Sequence, residues 1–194
     1  MGAGGGNMLL DAAQRDELLR HIDAYPADYD EVFDQVGDRL SQNGYATKCD
    51  IGALVLWKAM SPISFAKELN GKPDREVQKA SREAFAQRPF DIEHDSERLD
   101  ALALIPGMKH WRNWGALAST LLAAFGPVEF GVFDTNAHSA LTHTRKLGIC
   151  KDIRLPEYFG VLRELRDELR DVRPGVTARD VDKGLFQWGR QEAT

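Results

Sequence analysis

Apolar residues recur along this chain mostly at intervals of three and four, the spacing that gathers them on one side of a helix. In residues 8 to 24, MLLDAAQRDELLRHIDA, Leu9, Leu10, Leu18, Leu19 and Ile22 share a face, and Pro26 opens the next segment. There Tyr29, Val32, Phe33, Val36 and Leu40 repeat the pattern. Thr47-Lys48-Cys49-Asp50 has the form of a capping box with aspartate as the reciprocal acid, so a helix should begin there. The run after it, IGALVLWKAM, is apolar on nearly every side and predicts a buried helix rather than an amphipathic one. Ser61-Pro62 and Lys72-Pro73 read as further helix starts, with proline in the first turn.

Farther along, ERLDALALIPG is helix-compatible up to Pro106-Gly107, the short loop MKHWRNWG follows, and ALASTLLAAFG is apolar all round. Together these predict a helical hairpin over residues 97 to 125. Tyr158, Val161, Leu162, Leu165, Leu169 and Val172 form a stripe, and the Arg-Glu and Arg-Asp pairs between them form a solvated face. Thr177-Ala178-Arg179-Asp180 caps a last helix that carries Val181, Leu185, Phe186 and Trp188. No long alternating run argues for a sheet, and no unit repeats at a fixed period. The expected fold is therefore all-α: a flexible start over residues 1 to 7, then one helical domain, residues 8 to 194, of two packed lobes.

A hydrophobic share of 43% and a charged share of 28% over 194 residues exclude global disorder. Cys49 and Cys150 stand alone, without a CxxC pair, which excludes a cysteine zinc site or a disulfide framework and fits a reducing cytoplasm. Cys49 falls on the helix read as buried, so it is not expected to be a reactive thiol. No segment approaches the roughly 18 apolar residues of a membrane span, and the opening MGAGGGN is not a signal peptide. The expected location is cytoplasmic, with no membrane partner.

The net charge of −5 argues against nonspecific nucleic-acid binding by bulk charge. Its distribution is uneven. Residues 1 to 100 hold 12 Lys+Arg against 19 Asp+Glu, whereas residues 101 to 154 hold 6 against 3. Within that basic stretch one carboxylate, Asp134, follows the apolar run Phe130-Gly131-Val132-Phe133 and opens an apparent helix. An aspartate there serves as an N-cap. It is also held ionised by the helix dipole and the free N–H groups, which suits a catalytic carboxylate, and the two roles are compatible.

Three stretches carry a resemblance. The series L-x-x-I-P-G ending at Gly107, A-S-x-L-L-A-A ending at Ala124, and FGVFDTNAHSAL from Phe130 resembles the helix-hairpin-helix DNA glycosylase superfamily. It is most similar to bacterial proteins with an 8-oxoguanine-glycosylase-like fold, in which ATKCDIGALVLWK and ARDVDKGLFQWG also look familiar, so it covers the chain from about residue 45 onward.

The resemblance implies a DNA-glycosylase-like fold and double-stranded DNA bearing a modified base as partner, with the base turned out into a pocket between the lobes. Backbone N–H groups at Gly107, Met108 and Gly115 would bind phosphate, and Asp134 would be the catalytic acid group, stabilising the cationic sugar or orienting the attacking nucleophile. In the loop, Lys109, His110 and Arg112 would contact the backbone and Trp111 and Trp114 would stack on bases; Asn136 and His138 would lie on the same DNA face. The alternative is that the tryptophans cover the hairpin core and the cations face water. The basic run of residues 143 to 154 would extend the DNA face or remain a solvated loop.

Members that combine glycosylase and lyase activity carry a lysine early in the second hairpin helix, and Trp114-Gly115-Ala116-Leu117 has none. The expectation is a monofunctional enzyme that hydrolyses the N-glycosidic bond. Lys109 then reads as a phosphate contact, and Lys58 either places an amine near the core or, as a lysine closing a helix more often does, offsets the helix dipole. Asp134 and His138 lie four apart on one face, but His143 is not predicted to join them, so no metal and no cofactor are expected. Two further readings are a noncatalytic module that binds nucleic acid or protein on the same fold, and a hydrolase of free nucleosides.

Overall fold

The computed structural model describes residues 9–61, 65–108, 115–142, 147–148 and 153–191; the flexible start expected over residues 1 to 7 lies outside them. Among the described residues the protein is helical, with ten α-helices and one 3-10 turn and no strand. In chain order the helices are α1 (Ala12–Asp23), α2 (Glu31–Asn43), α3 (Lys48–Trp57), α4 (Ala66–Gly71), α5 (Asp74–Ala86) and α6 (Ile92–Leu102). They continue as α7 (Ala116–Phe125), α8 (Thr135–Thr142), α9 (Leu155–Arg170) and α10 (Ala178–Arg190), and a 3-10 turn at Ala27–Asp30 leads into α2.

Capping decides several starts. α1 begins at Ala12, later than its apolar spacing suggests, because Asp11 and Gln14 form a capping box; Leu9 and Leu10 precede it and donate their N–H groups to Glu168. The boxes at Thr47/Asp50 and Thr177/Asp180 are both present, each side-chain cap contributing about 1 kcal/mol to its helix. The start expected at Ser61-Pro62 touches residues outside those described, and the helix that follows begins at Ala66. Asp74 opens α5 directly after Pro73.

α7 fulfils its all-round apolar sequence: Leu117 through Ala124 are buried, and the Ser119 and Thr120 hydroxyls donate back to the Ala116 carbonyl instead of seeking water. α3 departs from the same expectation. Asp50, Ile51, Leu54 and Val55 are buried, but Leu56 is 80% exposed and Cys49 lies on the exposed side. The helix packs chiefly against α2 and α7, and Leu56 and Cys49 stay in contact with water. The stripe of α9 is buried at Tyr158, Leu162, Leu165 and Leu169 and ends with the helix, leaving Val172 exposed.

One apolar cluster runs from Leu10 to Leu185. Phe85 and Phe125 stack in it at 3.9 Å, joining α5 to the end of α7. α10 packs chiefly on α8 and α1, and this packing places the segment before α8.

Candidate functional site

α3 ends on Lys58. The N–H groups of Ala59 and Met60 turn back to the carbonyls of Leu56 and Val55 at 3.1 and 3.0 Å, and Ala59 takes the left-handed conformation, φ 54°. This closure is a Schellman motif with alanine where glycine is usual. It leaves the Lys58 side chain free to cross to a helix start 76 residues away. Its Nζ donates to Asp134 Oδ2 at 2.5 Å. The sequence reading of Lys58 as a dipole-offsetting charge thus missed its partner.

Asp134 also caps α8. Its Oδ1 accepts the Asn136 N–H at 2.8 Å, and its carbonyl accepts the His138 N–H at 2.8 Å. Both carboxylate oxygens are therefore engaged, one by an amine and one by a helix amide. The pair is mostly enclosed, the Lys58 and Asp134 side chains keeping 16% and 17% of their surface. A small part of each side chain remains in contact with solvent.

The extended segment before Asp134 is held from three helices. The Val132 N–H donates to Asp182 Oδ2 of α10 at 3.0 Å, and the Phe133 N–H donates to the Ser119 hydroxyl of α7 at 2.9 Å. Tyr158 of α9 donates its hydroxyl to Asp182 Oδ1 at 2.8 Å and meets the Phe133 ring edge-on at 5.1 Å. Gly131 is required by close approach: a Cβ there would lie 2.5 Å from Leu162 Cδ1 and 2.6 Å from Asp182 Cβ.

Behind this segment lies a buried charge network. Arg179 pairs with Asp182 on one side and with Asp30 at 3.1 Å on the other, and Lys183 reaches Asp30 at 2.9 Å. The Arg179 guanidinium sits over the rings of Phe33 and Trp57. Burial by itself lowers the Arg179 pKa, but Asp182 and Asp30 more than reverse it, and the group stays charged. Burial pushes Asp182 up, against the pull of Arg179, the Val132 amide and Tyr158, and Lys58 is near enough to add to that pull. Burial, then the Asp182 charge, raises the Tyr158 phenol well above its ordinary value and keeps it a hydrogen-bond donor.

The residues expected on a DNA face are placed unevenly. Gly107, φ 91°, is in the left-handed region, and a Cβ there would also strike the Phe65 ring at 2.8 Å, so this turn needs glycine. Met108 does not match its expected role: its side chain is in the core and its N–H donates to the Ile105 carbonyl at 3.0 Å, so that donor is committed within the turn. Gly115 is buried at the start of α7, and its carbonyl accepts from Ser119. Lys109, His110, Trp111, Arg112 and Trp114 lie outside the described residues, as does most of the basic run from 143 to 154. Asn136 and His138 share the first turn of α8 with Asp134, and His138 packs edge-on against Phe133. No cluster of three His, Cys, Asp or Glu suited to a metal occurs among the described residues. Nor is any helix among them long and apolar enough to cross a membrane.

The sequence did contain a signal for the residues it left unassigned. Ala178, Val181, Leu185 and Gly189 mark the buried stripe of α10, and Asp182 falls on that stripe. A carboxylate on a buried stripe needs partners, and so points to a network. Comparisons with family models, curated proteins and solved structures find no match to this chain.

Proposed function

We propose that the protein is a DNA N-glycosylase that removes a damaged or modified base from a duplex, with Asp134 as its catalytic carboxylate. One observation carries the reading: a carboxylate at the N-terminus of α8, within solvent reach, faces the amine of Lys58. In this reading α6, the Pro106-Gly107 turn and α7 form the DNA-holding hairpin of a two-lobed fold, and the flipped nucleotide enters beside Asp134.

In the hydrolytic form water adds to C1′ as the C1′–N bond breaks; the bonding electrons leave with the base, and the proton released by water neutralises it. The Asp134 charge stabilises the positive charge that builds on the sugar as that bond breaks, the kind of fixed electrostatic help that supplies most of many rate enhancements. The Lys58 side chain, close beside Asp134, offers a second form. The Lys58 ammonium gives a proton to the departing base, which leaves with its bonding electrons, and the amine so formed adds to C1′ in place of water. A proton of the new ammonium then passes to the ring oxygen as the sugar opens to an imine, which borohydride reduces to a stable amine.

The test is a panel of modified-base duplexes challenged with the wild-type protein, Asp134→Asn and Lys58→Gln. Base release by the wild type, lost in Asp134→Asn with DNA binding retained, is the expected result. Borohydride cross-linking that disappears in Lys58→Gln selects the amine form; release without cross-linking selects water. Duplex binding with no release from any substrate would leave a noncatalytic binding module. Cleavage of free nucleosides alone would move the activity away from DNA. Replacing Lys109 and Arg112 by Ala is expected to weaken duplex affinity and flatten its salt dependence.

A further inference from the structure

We infer that Asp182 is the positioning residue of the Lys58–Asp134 pair, and that α10 is the element that aims it. The effect on turnover rests on the glycosylase reading; the geometry of the mount stands without it.

Asp182 is buried on the apolar stripe of α10, where an aliphatic side chain would pack at less cost in desolvation. What the carboxylate adds is direction. It accepts the Val132 N–H at 3.0 Å and the Tyr158 hydroxyl at 2.8 Å, while Arg179 neutralises it from behind. Val132 stands two residues before Asp134. Two residues after it, Asn136 presents its backbone to Gly189, about two turns beyond Asp182 along α10, with no room for a Cβ between them. α10 therefore grips the chain on both sides of the acid, by a charged hydrogen bond at one point and by backbone contact at the other. Gly131 keeps the approach open, since any side chain there would strike Asp182 and Leu162. Because hydrogen bonds to an ionised acceptor are directional, and displacements of about 1 Å cost roughly a hundredfold in rate, a reacting carboxylate benefits from such a fixed mount.

The experiment uses the whole protein in three variants. Asp182→Asn keeps the shape but removes the charge that faces Arg179 and the Val132 N–H and, with its carbonyl kept toward those two donors, puts an amide N–H where the Tyr158 hydroxyl donates. Tyr158→Phe keeps the ring but removes one bond to Asp182 and the hydroxyl's contact with the Val132 carbonyl at 3.3 Å. Asp30→Asn breaks the other Arg179 pair without touching the segment before Asp134, and so reports loss of the network alone. With lysine labelled in 15N, the Lys58 ammonium held by Asp134 is expected to give a distinct resonance in the wild type and in Asp30→Asn. That resonance should shift and broaden in Asp182→Asn and, to a lesser degree, in Tyr158→Phe. On a duplex that the wild type cleaves, Asp182→Asn should lower kcat by about tenfold or more with KM nearly unchanged, as expected for a misaimed rather than missing group. An unaltered Lys58 resonance in both Asp182→Asn and Tyr158→Phe would overturn the inference; if Asp182→Asn does not fold, Tyr158→Phe decides it. If the wild type releases no base, the glycosylase reading fails while the Lys58 resonance still reports whether Asp182 aims the pair, so the two failures are told apart.

Discussion

Gly189 of α10 lies against the carbonyl of Asn136, so the end of one helix and the first turn of another meet backbone to backbone. Neither side can yield as the tip of a flexible side chain would. Gly189→Ala is therefore expected to destabilise the protein by about 2–3 kcal/mol, the range for overpacking a rigid contact. Urea unfolding of the two proteins measures it. A change of under half a kilocalorie would mean that α10 and α8 separate freely.

Lys58 and Asp134 are coupled across a mostly enclosed contact. Removing either one strands the other, so Lys58→Met and Asp134→Asn should each destabilise. The double variant should be less harmful than the sum of the two. A coupling energy of about 1–3 kcal/mol is expected from the double-mutant cycle, smaller than for a fully buried pair because water still reaches this one. Strict additivity would show that the contact contributes nothing.

Ala59 holds a left-handed conformation that L-residues other than Asn or Asp seldom adopt. Ala59→Gly relieves the clash between its Cβ and the backbone, at some cost in unfolded-chain entropy. A net gain of about 0.5–1 kcal/mol is expected in thermal or urea unfolding. The Lys58 reach depends on this turn, so the same variant tests whether loosening it changes activity on any duplex that the wild type cleaves.

Asp50 closes the capping box of α3 and accepts from Arg39 at 2.8 Å. Burial pushes its carboxyl upward, but the Thr47 hydroxyl and amide together with Arg39 outweigh it, and the net shift is downward. A carboxyl lowered in the folded state contributes stability above its unfolded value near about 3.9, and that contribution fades as pH falls through the folded value. Asp50→Ala should therefore lose about 1–2 kcal/mol at neutral pH. The gap between variant and wild type should narrow as the medium is acidified below about pH 4. A gap independent of pH would assign the loss to packing alone.

Local features of the fold were legible because they depend on neighbours in sequence. The threonine-aspartate boxes of α3 and α10 act over three residues, and the buried positions of α9 follow a helical period that any window of the chain displays. The outer face of α3 was misread for the complementary reason. An apolar run says that a helix prefers burial, but α3 packs chiefly on α2 and α7, and Leu56 and Cys49 stay exposed. Met108 was misjudged in the same way: its place beside a Pro-Gly turn suggested a free N–H, whereas the turn closes on Ile105.

By itself, then, the sequence determined an all-helical fold class, the threonine-aspartate caps that start α3 and α10, and an aspartate at the head of α8. Those properties follow from spacing and from hydrogen bonds within a turn. Only the tertiary structure decided that Lys58 meets Asp134 and that Asp182 and Gly189 bracket the acid from α10. Partners 50 to 76 residues apart are chosen by how helices pack, and helix packing is a property of whole surfaces that no local pattern encodes.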